Sequence, residues 1–292
     1  MKVVVVGAAG QLGRITTESW AAGHDVTPLT RREVDLTDAA AVERAVEAAS
    51  PELILNCAAY NDVDGAEDAP VLAFAVNALA VRSLAAVAAR TGATLVHYST
   101  DFVFDGVDRA TPYTEADPPR PQSVYGTSKL VGEWLAATAP RAYVLRVESL
   151  FGGIYVRSSV DKLIAGLERE EPLRVFADRT LTPSYVADVV RATHRLVETS
   201  APAGLYHCVN SGVTNWLELA EELARLTGRE ATARLEPVAV ASVALKAKRP
   251  QYCALSNAKL RAAGVEMPDW RDALRRHLAG GRAPQARPQA GT

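Results

Sequence analysis

Tyr125 and Lys129 are the residues whose types and spacing suggest chemistry most directly. They stand four positions apart in Tyr-Gly-Thr-Ser-Lys, so on a helix their side chains share one face. A neighbouring ammonium group favours the phenolate, and we expect it to lower the pKa of the tyrosine from its usual value of about 10. Upstream, the strand-like run Thr94–Tyr98 leads into Thr100, whose hydroxyl can donate to a carbonyl oxygen. Together the three groups could polarise and protonate a carbonyl that accepts a hydride.

A glycine-rich turn follows the first apolar run of the chain, Val3–Val6. Between a strand and a helix, glycines let backbone N–H groups approach a pyrophosphate, and the helix directs its positive end at the same anion. The alternative is an ordinary strand-to-helix turn that needs small residues. We predict dinucleotide binding by the residues of this turn, namely Gly7, Gly10, Gln11, Leu12 and Gly13.

The end of the second predicted strand, Val26–Thr30, indicates which dinucleotide binds. Arg31 and Arg32 follow it, and arginine suits a 2′-phosphate, whereas an acid would suit a 2′-hydroxyl. Because Glu33 comes one residue later, NADPH is favoured and NADH is kept as an alternative; the arginines could also be solvated surface charges. Further cofactor contacts are expected after the second and third strands, at Asp35, Leu36, Ala58, Ala59 and Tyr60.

The elements that must position these residues alternate between strand and helix. Buried-strand patterns occur at Val3–Val6, Val26–Thr30, Leu53–Asn56, Thr94–Tyr98 and Ala142–Val147, and helical patterns at Gln11–Ala22, Ala39–Ala49, Val71–Arg90 and Ser123–Ala139. This order predicts an α/β fold with a doubly wound parallel sheet, a Rossmann fold.

The pattern becomes irregular beyond residue 150, although Val186–Val197 and Leu205–Cys208 could return to the sheet. We therefore predict a dinucleotide-binding domain at 1–150, with 183–207 returning to it. A smaller, discontinuous substrate-binding region is expected at 151–182 and 208–279. Residues 280–292, rich in Gly, Pro, Ala and Arg, are expected to form a disordered tail.

Composition excludes several classes of protein. The chain has 292 residues, 48% of them hydrophobic and 23% charged, with a net charge of −2 and no massed Lys or Arg. We expect no nucleic-acid partner and no membrane association, because no apolar run approaches the ~18–20 residues of a membrane span. The three cysteines, Cys57, Cys208 and Cys253, fit neither a disulfide framework nor a metal site. Buried free thiols in a reducing cytoplasm are expected, and a homodimer is compatible with the sequence.

At these residues the chain resembles the extended short-chain dehydrogenase/reductases, and within them the dTDP-4-dehydrorhamnose reductases. The resemblance spans nearly the whole chain up to Leu278. It is carried by Gly-Ala-Ala-Gly-Gln-Leu-Gly at 7–13, Asn-Cys-Ala-Ala-Tyr-Asn-Asp-Val-Asp at 56–64, His-Tyr-Ser-Thr-Asp-Phe-Val-Phe-Asp-Gly at 97–106, Val-Tyr-Gly-Thr-Ser-Lys-Leu at 124–130, Gly-Leu-Tyr-His at 204–207, and Arg249-Pro250 with Leu255-Ser256.

The resemblance implies reduction of the 4-keto group of a dTDP-linked 6-deoxyhexose, such as dTDP-4-dehydro-L-rhamnose, with NADPH or NADH. It makes Thr100, Tyr125 and Lys129 the catalytic trio. It also places Arg249 near the nucleotide diphosphate, although an arginine before a proline could be a surface charge on a loop. Substrate contacts are expected at Thr100, Asp101, Phe102 and Arg249.

Two departures from the family pattern concern the substrate and a metal. Where the family often has Thr-Ser-Trp, this chain has Val147-Glu148-Ser149, so its contact with the sugar must differ. Some members hold magnesium through a glutamate at the position of Ile15, and we predict no metal site here.

Two alternative functions remain open at the level of sequence. Nucleotide-sugar epimerases and dehydratases share the fold, but dehydratases commonly carry Thr-Asp-Glu where this chain has Thr100-Asp101-Phe102. Asp101 is a single carboxylate, which gives little support for an elimination of water. It could instead be a turn residue that hydrogen-bonds the local backbone. A non-catalytic, NADP-binding regulatory subunit could keep the glycine turn, but the intact trio argues against it.

Overall fold

A computed structural model of the chain describes residues 1–107, 109–153 and 158–280. Its strands are β1 (Lys2–Val6), β2 (Asp25–Leu29), β3 (Leu53–Asn56), β4 (Thr94–Thr100), β5 (Ala142–Val147), β6 (Leu150–Phe151), β7 (Leu173–Phe176), β8 (Thr180–Leu181), β9 (Ser184–Tyr185), β10 (Gly204–His207), β11 (Thr214–Asn215) and β12 (Leu235–Val238). Its helices are α1 (Gln11–Ala21), α2 (Ala39–Ala48), α3 (Val63–Asp68), α4 (Pro70–Phe74), α5 (Ala80–Thr91), α6 (Val124–Ala136), α7 (Ser159–Glu168), α8 (Val186–Glu198), α9 (Trp216–Leu226), α10 (Ala258–Ala262) and α11 (Trp270–Ala279). A π-helical segment, Ala75–Leu79, joins α4 to α5.

The main sheet has six strands in the order β10-β5-β4-β3-β1-β2. All neighbouring pairs run parallel, which aligns the carboxyl ends of the strands. The chain leaves β1 to one side for β2 and returns on the other side with β3, so a topological switch point lies at β1. Open sheets bind their ligands outside the carboxyl ends of the strands at such a point. The predicted doubly wound parallel sheet is confirmed.

Both faces of the sheet are covered, which explains the continuously apolar strands. Within β1, Val3 and Val5 pack into one cluster with α1 and α8, whereas Val4 and Val6 pack into another with α2 and α5. Successive side chains of a strand point to opposite faces, so one run of valines serves both clusters. A third cluster lies outside the sheet, between α7, α9 and α11.

The C-terminal region contains elements that the sequence analysis missed. The pairs β6–β9 and β7–β12 are parallel, and β8–β11 is antiparallel. The strands of two residues, namely β6, β8, β9 and β11, are too short to show any periodicity. The returning strand was found, because β10 pairs with β5 in the main sheet. The domain limits 1–150, 151–182, 183–207 and 208–279 stay predictions.

One helical stretch corrects the expectation about membrane-spanning length. Pro70–Thr91 is long and apolar enough to cross a membrane by length and composition, with a mean hydropathy of 1.9. However, 56% of its apolar 18-residue segment is buried inside the protein, and side chains such as Val81, Leu84 and Val87 pack in the core. This stretch therefore belongs to the core of the fold.

The structure also bears on the predictions for the cysteines and the C-terminal tail. Cys208 and Cys253 are buried free thiols as expected, and Cys57 is a half-buried one. Burial raises the pKa of the Cys57 and Cys208 thiols to about 12, which keeps them protonated. Of the predicted tail 280–292, only Gly280 belongs to the described residues, at the end of α11.

Candidate active site

Thr100, Tyr125 and Lys129 are brought together by a close approach of α6 to the end of β4. Thr100 is the last residue of β4, and the other two lie in the first two turns of α6. A Cβ atom at Gly126 would collide with the carbonyl oxygen of Phe102, so only glycine lets the helix lie this close to the turn after the strand. Ser123 caps the helix by accepting a hydrogen bond from the Gly126 N–H at 3.1 Å.

The environment of Tyr125 favours its protonated form. Burial raises the pKa of its phenol, a hydrogen bond with Thr100 opposes this rise, and the negative charge of Asp101 adds to it. The net direction is therefore opposite to the lowering that we expected from Lys129. Its Nζ atom donates instead to the carbonyl oxygen of Tyr98 at 2.6 Å. The phenol therefore holds a proton that a carbonyl oxygen could accept, although the raised pKa makes it a weaker acid than a free tyrosine.

Lys129 is buried, with 2% of its surface exposed. Removal from water disfavours the ammonium form and lowers its pKa to about 8, although the charge of Glu133 acts in the opposite direction. The side chain consequently changes charge near physiological pH, which an exposed lysine would not do.

A buried ion pair that the sequence analysis did not find supports this part of α6. Arg146 of β5 donates to both carboxylate oxygens of Glu133, at 2.8 and 2.7 Å. Ser99 of β4 donates to the same carboxylate at 2.5 Å. The pair is bidentate and almost fully buried, so it fixes α6 against β4 and β5. Its only sequence signal was the position of Glu133, one turn beyond Lys129.

Asn77, in the π-helical segment, was also missed. Its side chain accepts a hydrogen bond from the N–H of Tyr60 at 2.8 Å and donates to the carbonyl oxygen of the same residue at 3.2 Å. It also donates to Ser128 of α6 at 2.9 Å. One buried amide thus connects the loop after β3 to the helix that carries Tyr125 and Lys129. Irregular turns of this kind are frequent at functional sites.

The glycine turn has the shape of a cradle for a phosphate group. Gly7 has φ +78, and a Cβ atom there would collide with Ala58. A Cβ atom at Gly13 would collide with the carbonyl oxygen of Gly7, so α1 lies directly against the turn. Gly10 precedes α1 without a side-chain cap, which leaves backbone N–H groups of the first turn available to an anion. These features fit a dinucleotide.

Residues predicted to surround the adenosine end lie near the end of β2. Arg31 is exposed, whereas the carboxylate of Glu33 accepts hydrogen bonds from the N–H and the hydroxyl of Thr30, at 2.8 and 2.5 Å. The carboxylate of Asp35 accepts hydrogen bonds from the N–H and the hydroxyl of Thr37, at 2.9 and 2.8 Å. Leu36 packs against the core. The acids near this strand end are thus engaged locally, while Arg31 faces solvent.

The residues predicted to contact the substrate gather around Phe102. Its ring meets the ring of Tyr125 edge-on at 5.6 Å, and the guanidinium group of Arg249 lies 5.8 Å from its centroid. Arg249 is only 14% exposed, forms an ion pair with Asp64 at 2.8 Å, and lines a cavity of about 470 Å³. This environment differs from that of a surface charge on a loop.

Asp101 belongs to a buried cluster whose other charged members were not assigned a role from sequence. Thr100 donates to its carboxylate at 2.9 Å, and Arg179 approaches it at 3.9 Å. One oxygen of Asp101, one of Glu148 and the Cys253 sulfur lie within 4.8 Å of one another. Arg179 already supplies positive charge to this group, and the absence of a metal site stays a prediction.

Comparisons with known proteins agree with this architecture. The family model described as the RmlD substrate binding domain matches residues 1–282. The dTDP-4-dehydrorhamnose reductase of Mycolicibacterium smegmatis is 37% identical over 285 residues, covering 95% of this chain and 85% of that protein. A probable dTDP-4,6-dihydroxy-2-methyloxan-3-one 4-ketoreductase of Streptomyces antibioticus is 36% identical, with 94% of each chain covered.

A solved structure extends the similarity to three dimensions. The crystal structure of a dTDP-4-dehydrorhamnose reductase from Bacillus anthracis in complex with NADP matches with a TM-score of 0.90. It is 33% identical, and the match covers 96% of this chain and 100% of that one. Since the family model and these relatives cover nearly the full length, the chain belongs to the RmlD substrate binding domain family within the extended short-chain dehydrogenase/reductases.

Proposed function

We propose that the protein is an NADPH-dependent oxidoreductase that reduces the 4-keto group of a dTDP-4-keto-6-deoxyhexose. The substrate proposed is dTDP-4-dehydro-L-rhamnose, and the product is dTDP-L-rhamnose. The observation that carries the proposal is the placement of Tyr125, whose phenol forms a hydrogen bond with Thr100 at the carboxyl end of β4. A protonated acid at this place is what the reduction of a carbonyl requires.

The proposed mechanism divides the work among three side chains. NADPH, when bound, supplies the hydride that adds to C4 of the sugar. The electron pair of the C=O double bond moves onto the oxygen, which takes the proton of the Tyr125 hydroxyl. Thr100 donates a hydrogen bond to the same oxygen, and the ammonium group of Lys129 stabilises the phenolate that Tyr125 becomes. The products are the 4-hydroxy sugar and the oxidised cofactor.

The residues of the chain support NADPH over NADH. Arg31 is exposed directly after β2, where it can approach a 2′-phosphate. Glu33, the acid that could have received a 2′-hydroxyl, is held by Thr30. NADH stays the alternative cofactor. The pyrophosphate would lie on Gly7, Gly10 and the first turn of α1.

The proposed partners and location follow from the proposed reductase function and from the sequence. A dTDP-sugar is the substrate that the reductase family implies, with Arg249 proposed near its diphosphate. We expect no nucleic-acid partner, no membrane association and a cytoplasmic location. A homodimer is proposed because apolar side chains on α4, the π-helical segment and α6 are exposed, namely Val71, Leu79 and Trp134.

Two other functions are less well supported. A dehydratase needs a further acid or base next to Asp101, and Phe102 cannot transfer a proton. A non-catalytic, NADP-binding subunit would not need Tyr125, Lys129 and Thr100 together.

The test is a comparison of the wild type with Tyr125→Phe. We expect the wild type to oxidise NADPH in the presence of dTDP-4-dehydro-L-rhamnose generated in place, followed by absorbance. The variant should lose about 10²–10⁴-fold in kcat, because its proton donor is gone, and should still bind NADPH. Tyr206→Phe, which loses only a hydroxyl bonded to Pro202, is the matched control and should turn over normally. If the wild type binds NADPH but does not consume it, the proposed substrate or the enzymatic function itself is wrong.

A further inference from the structure

We propose that Glu148 is a positioning residue of this reduction, which carries a proton that it shares with Asp101 and so frees the Thr100 hydroxyl to face the substrate. The inference rests on the proposed function, since it concerns the same site. It assigns a role to a residue that departs from the family pattern, in the run Val147-Glu148-Ser149.

The first argument is the pairing of the oxygen atoms. One oxygen of Glu148 accepts hydrogen bonds from the N–H and the hydroxyl of Thr182, at 2.8 and 2.7 Å. Its other oxygen, Oε1, has no hydrogen-bond partner among the residues that the structure describes. Asp101 Oδ2 has none either, although the guanidinium group of Arg179 approaches it at 3.9 Å. Both residues are buried, with 1% and 3% of their surfaces exposed. Unpaired buried oxygens are costly, so both require an explanation.

A single proton provides that explanation. The two carboxylates approach each other within 4.8 Å, a separation that one bridging water or a small side-chain rotation spans. A carboxyl group that carries a proton becomes a donor through one oxygen. With the proton on Glu148, its Oε1 atom donates towards Asp101 Oδ2, and both oxygens gain a partner.

The second argument is the charge of the cluster. The groups that face the two carboxylates include the guanidinium of Arg179, the thiol of Cys253 and the phenols of Tyr125 and Tyr252. Two ionised carboxylates and one guanidinium would leave an excess negative charge in a buried space, which is strongly unfavourable. One shared proton makes the described cluster neutral.

The pKa values of the two acids agree with this geometry. Burial raises the pKa of Glu148 well above its ordinary range, and the nearby charge of Asp101 raises it further. Burial also raises the pKa of Asp101, but Arg179 and the Thr100 hydroxyl oppose that rise. The proton therefore resides on Glu148, while Asp101 faces Arg179.

The consequence for the reaction concerns the direction of one hydroxyl. The Thr100 hydroxyl donates to Asp101 Oδ1 at 2.9 Å, so its hydrogen is directed away from an incoming carbonyl. Sharing a proton with Glu148 makes Asp101 a weaker acceptor. The Thr100 hydroxyl can then turn and donate to the substrate oxygen, where charge develops.

The kinetic test compares two substitutions at one position. Glu148→Ala removes the proton and is expected to lower kcat by about 10–100-fold at pH 7, as misplacement of a catalytic group does, with the Kd for NADPH unchanged. Glu148→Gln keeps a donor at the same place and should restore most of this loss. Glu266→Gln makes the same chemical change at an exposed position and serves as the control.

A double substitution separates positioning from general damage. If Glu148 acts through Thr100, adding Glu148→Ala to Thr100→Val should cost little beyond Thr100→Val alone. The proposal is wrong if the two substitutions lower kcat multiplicatively. It is also wrong if Glu148→Ala and Glu148→Gln lose the same amount of activity.

A spectroscopic measurement keeps the inference distinct from the proposed function. At pH 7 the wild type should show the infrared C=O stretch of a buried, protonated carboxyl group, and Glu148→Gln should lose it while Glu266→Gln keeps it. This result would support the shared proton even if the wild type failed to reduce the chosen sugar. A wild type without that band carries no proton on Glu148, and the inference then fails whatever the activity.

Discussion

At the scale of single residues, burial rather than the neighbouring charge decides how the site holds its protons. Burial raises the pKa of Tyr125 and lowers that of Lys129 to about 8, so both groups are moved towards their uncharged forms. The uncharged phenol is the form that donates a proton in a reduction. The lysine, in contrast, is useful only while it is charged, because the charge stabilises the phenolate left by Tyr125.

A pH dependence of the reduction follows from Lys129. Because its pKa is about 8, the ammonium form is present below that pH and is lost as the pH rises through it. We expect kcat/KM for the reduction to fall above pH 8, approaching tenfold per pH unit for the loss of one required proton. Initial rates measured between pH 6 and 10 would show this limb.

Two variants test whether Lys129 causes the fall in kcat/KM above pH 8. Lys129→Met should be slow at every pH and should lack the fall above pH 8. Lys162→Met, at an exposed position of α7, should retain it. A wild-type profile that stays flat to pH 10 would contradict the role given to Lys129.

At the scale of elements, the site depends on how closely α6 approaches its neighbours. Gly126 lets the turn after β4 pack directly against α6. Gly132 lets the π-helical segment do the same, since a Cβ atom at Gly132 would collide with the carbonyl oxygen of Asn77. The buried pair Glu133–Arg146 then fastens the helix to β5. The helix thus has little freedom to move Tyr125 away from Thr100.

Gly132→Ala is predicted to weaken this packing. The added methyl group has no room, so α6 or the segment around Asn77 must shift, and we expect a loss of about 1–3 kcal/mol in the free energy of unfolding. Urea unfolding followed by circular dichroism measures this loss. Gly23→Ala, where a Cβ atom meets no atom within 4 Å, is the matched control. Equal stability of the two variants would show that α6 is not constrained at this point.

At the scale of the whole molecule, the returning C-terminal region completes the cluster beside β4. The N–H of Thr180 donates to the carbonyl oxygen of Gln251 at 2.9 Å, and the N–H of Cys253 donates to that of Thr180 at 2.8 Å. These bonds place Arg179 and Cys253 side by side, although more than 70 residues separate them, and set both against Asp101. The reacting groups and the groups that tune them therefore come from different parts of the chain.

The proposed homodimer also belongs to this scale. Trp134 is 61% exposed and Val71 84% exposed, on helices that pack against each other, and a second copy of the chain would cover them. We expect light scattering to give about twice the mass of one 31.1 kDa chain. Trp134→Glu should shift the protein to the monomer, whereas Val213→Glu, at an exposed apolar residue elsewhere, should not. A wild type that is monomeric at all concentrations would refute the proposal.

The sequence by itself determined the order of the elements and the local spacing of the reacting groups. The largely apolar runs Leu53–Asn56 and Ala142–Val147 coincide with β3 and β5. They were recognisable because the pattern of a buried strand, like the spacing of a helix face, depends on neighbouring residues. The pair Tyr125 and Lys129 and the glycines of the first turn were recognisable for the same reason. The confirmed fold and family followed from these local patterns.

Only the tertiary structure decided which distant groups are buried together. Nothing local connects Glu148 with Asp101 and Arg179, or Glu133 with Arg146, and the sequence predicted the wrong direction for the pKa of Tyr125. A pKa depends on burial and on all charges within several ångströms, and these are set by packing across the whole fold. The proton affinities of the candidate site therefore appear only when the folded chain has excluded water from it.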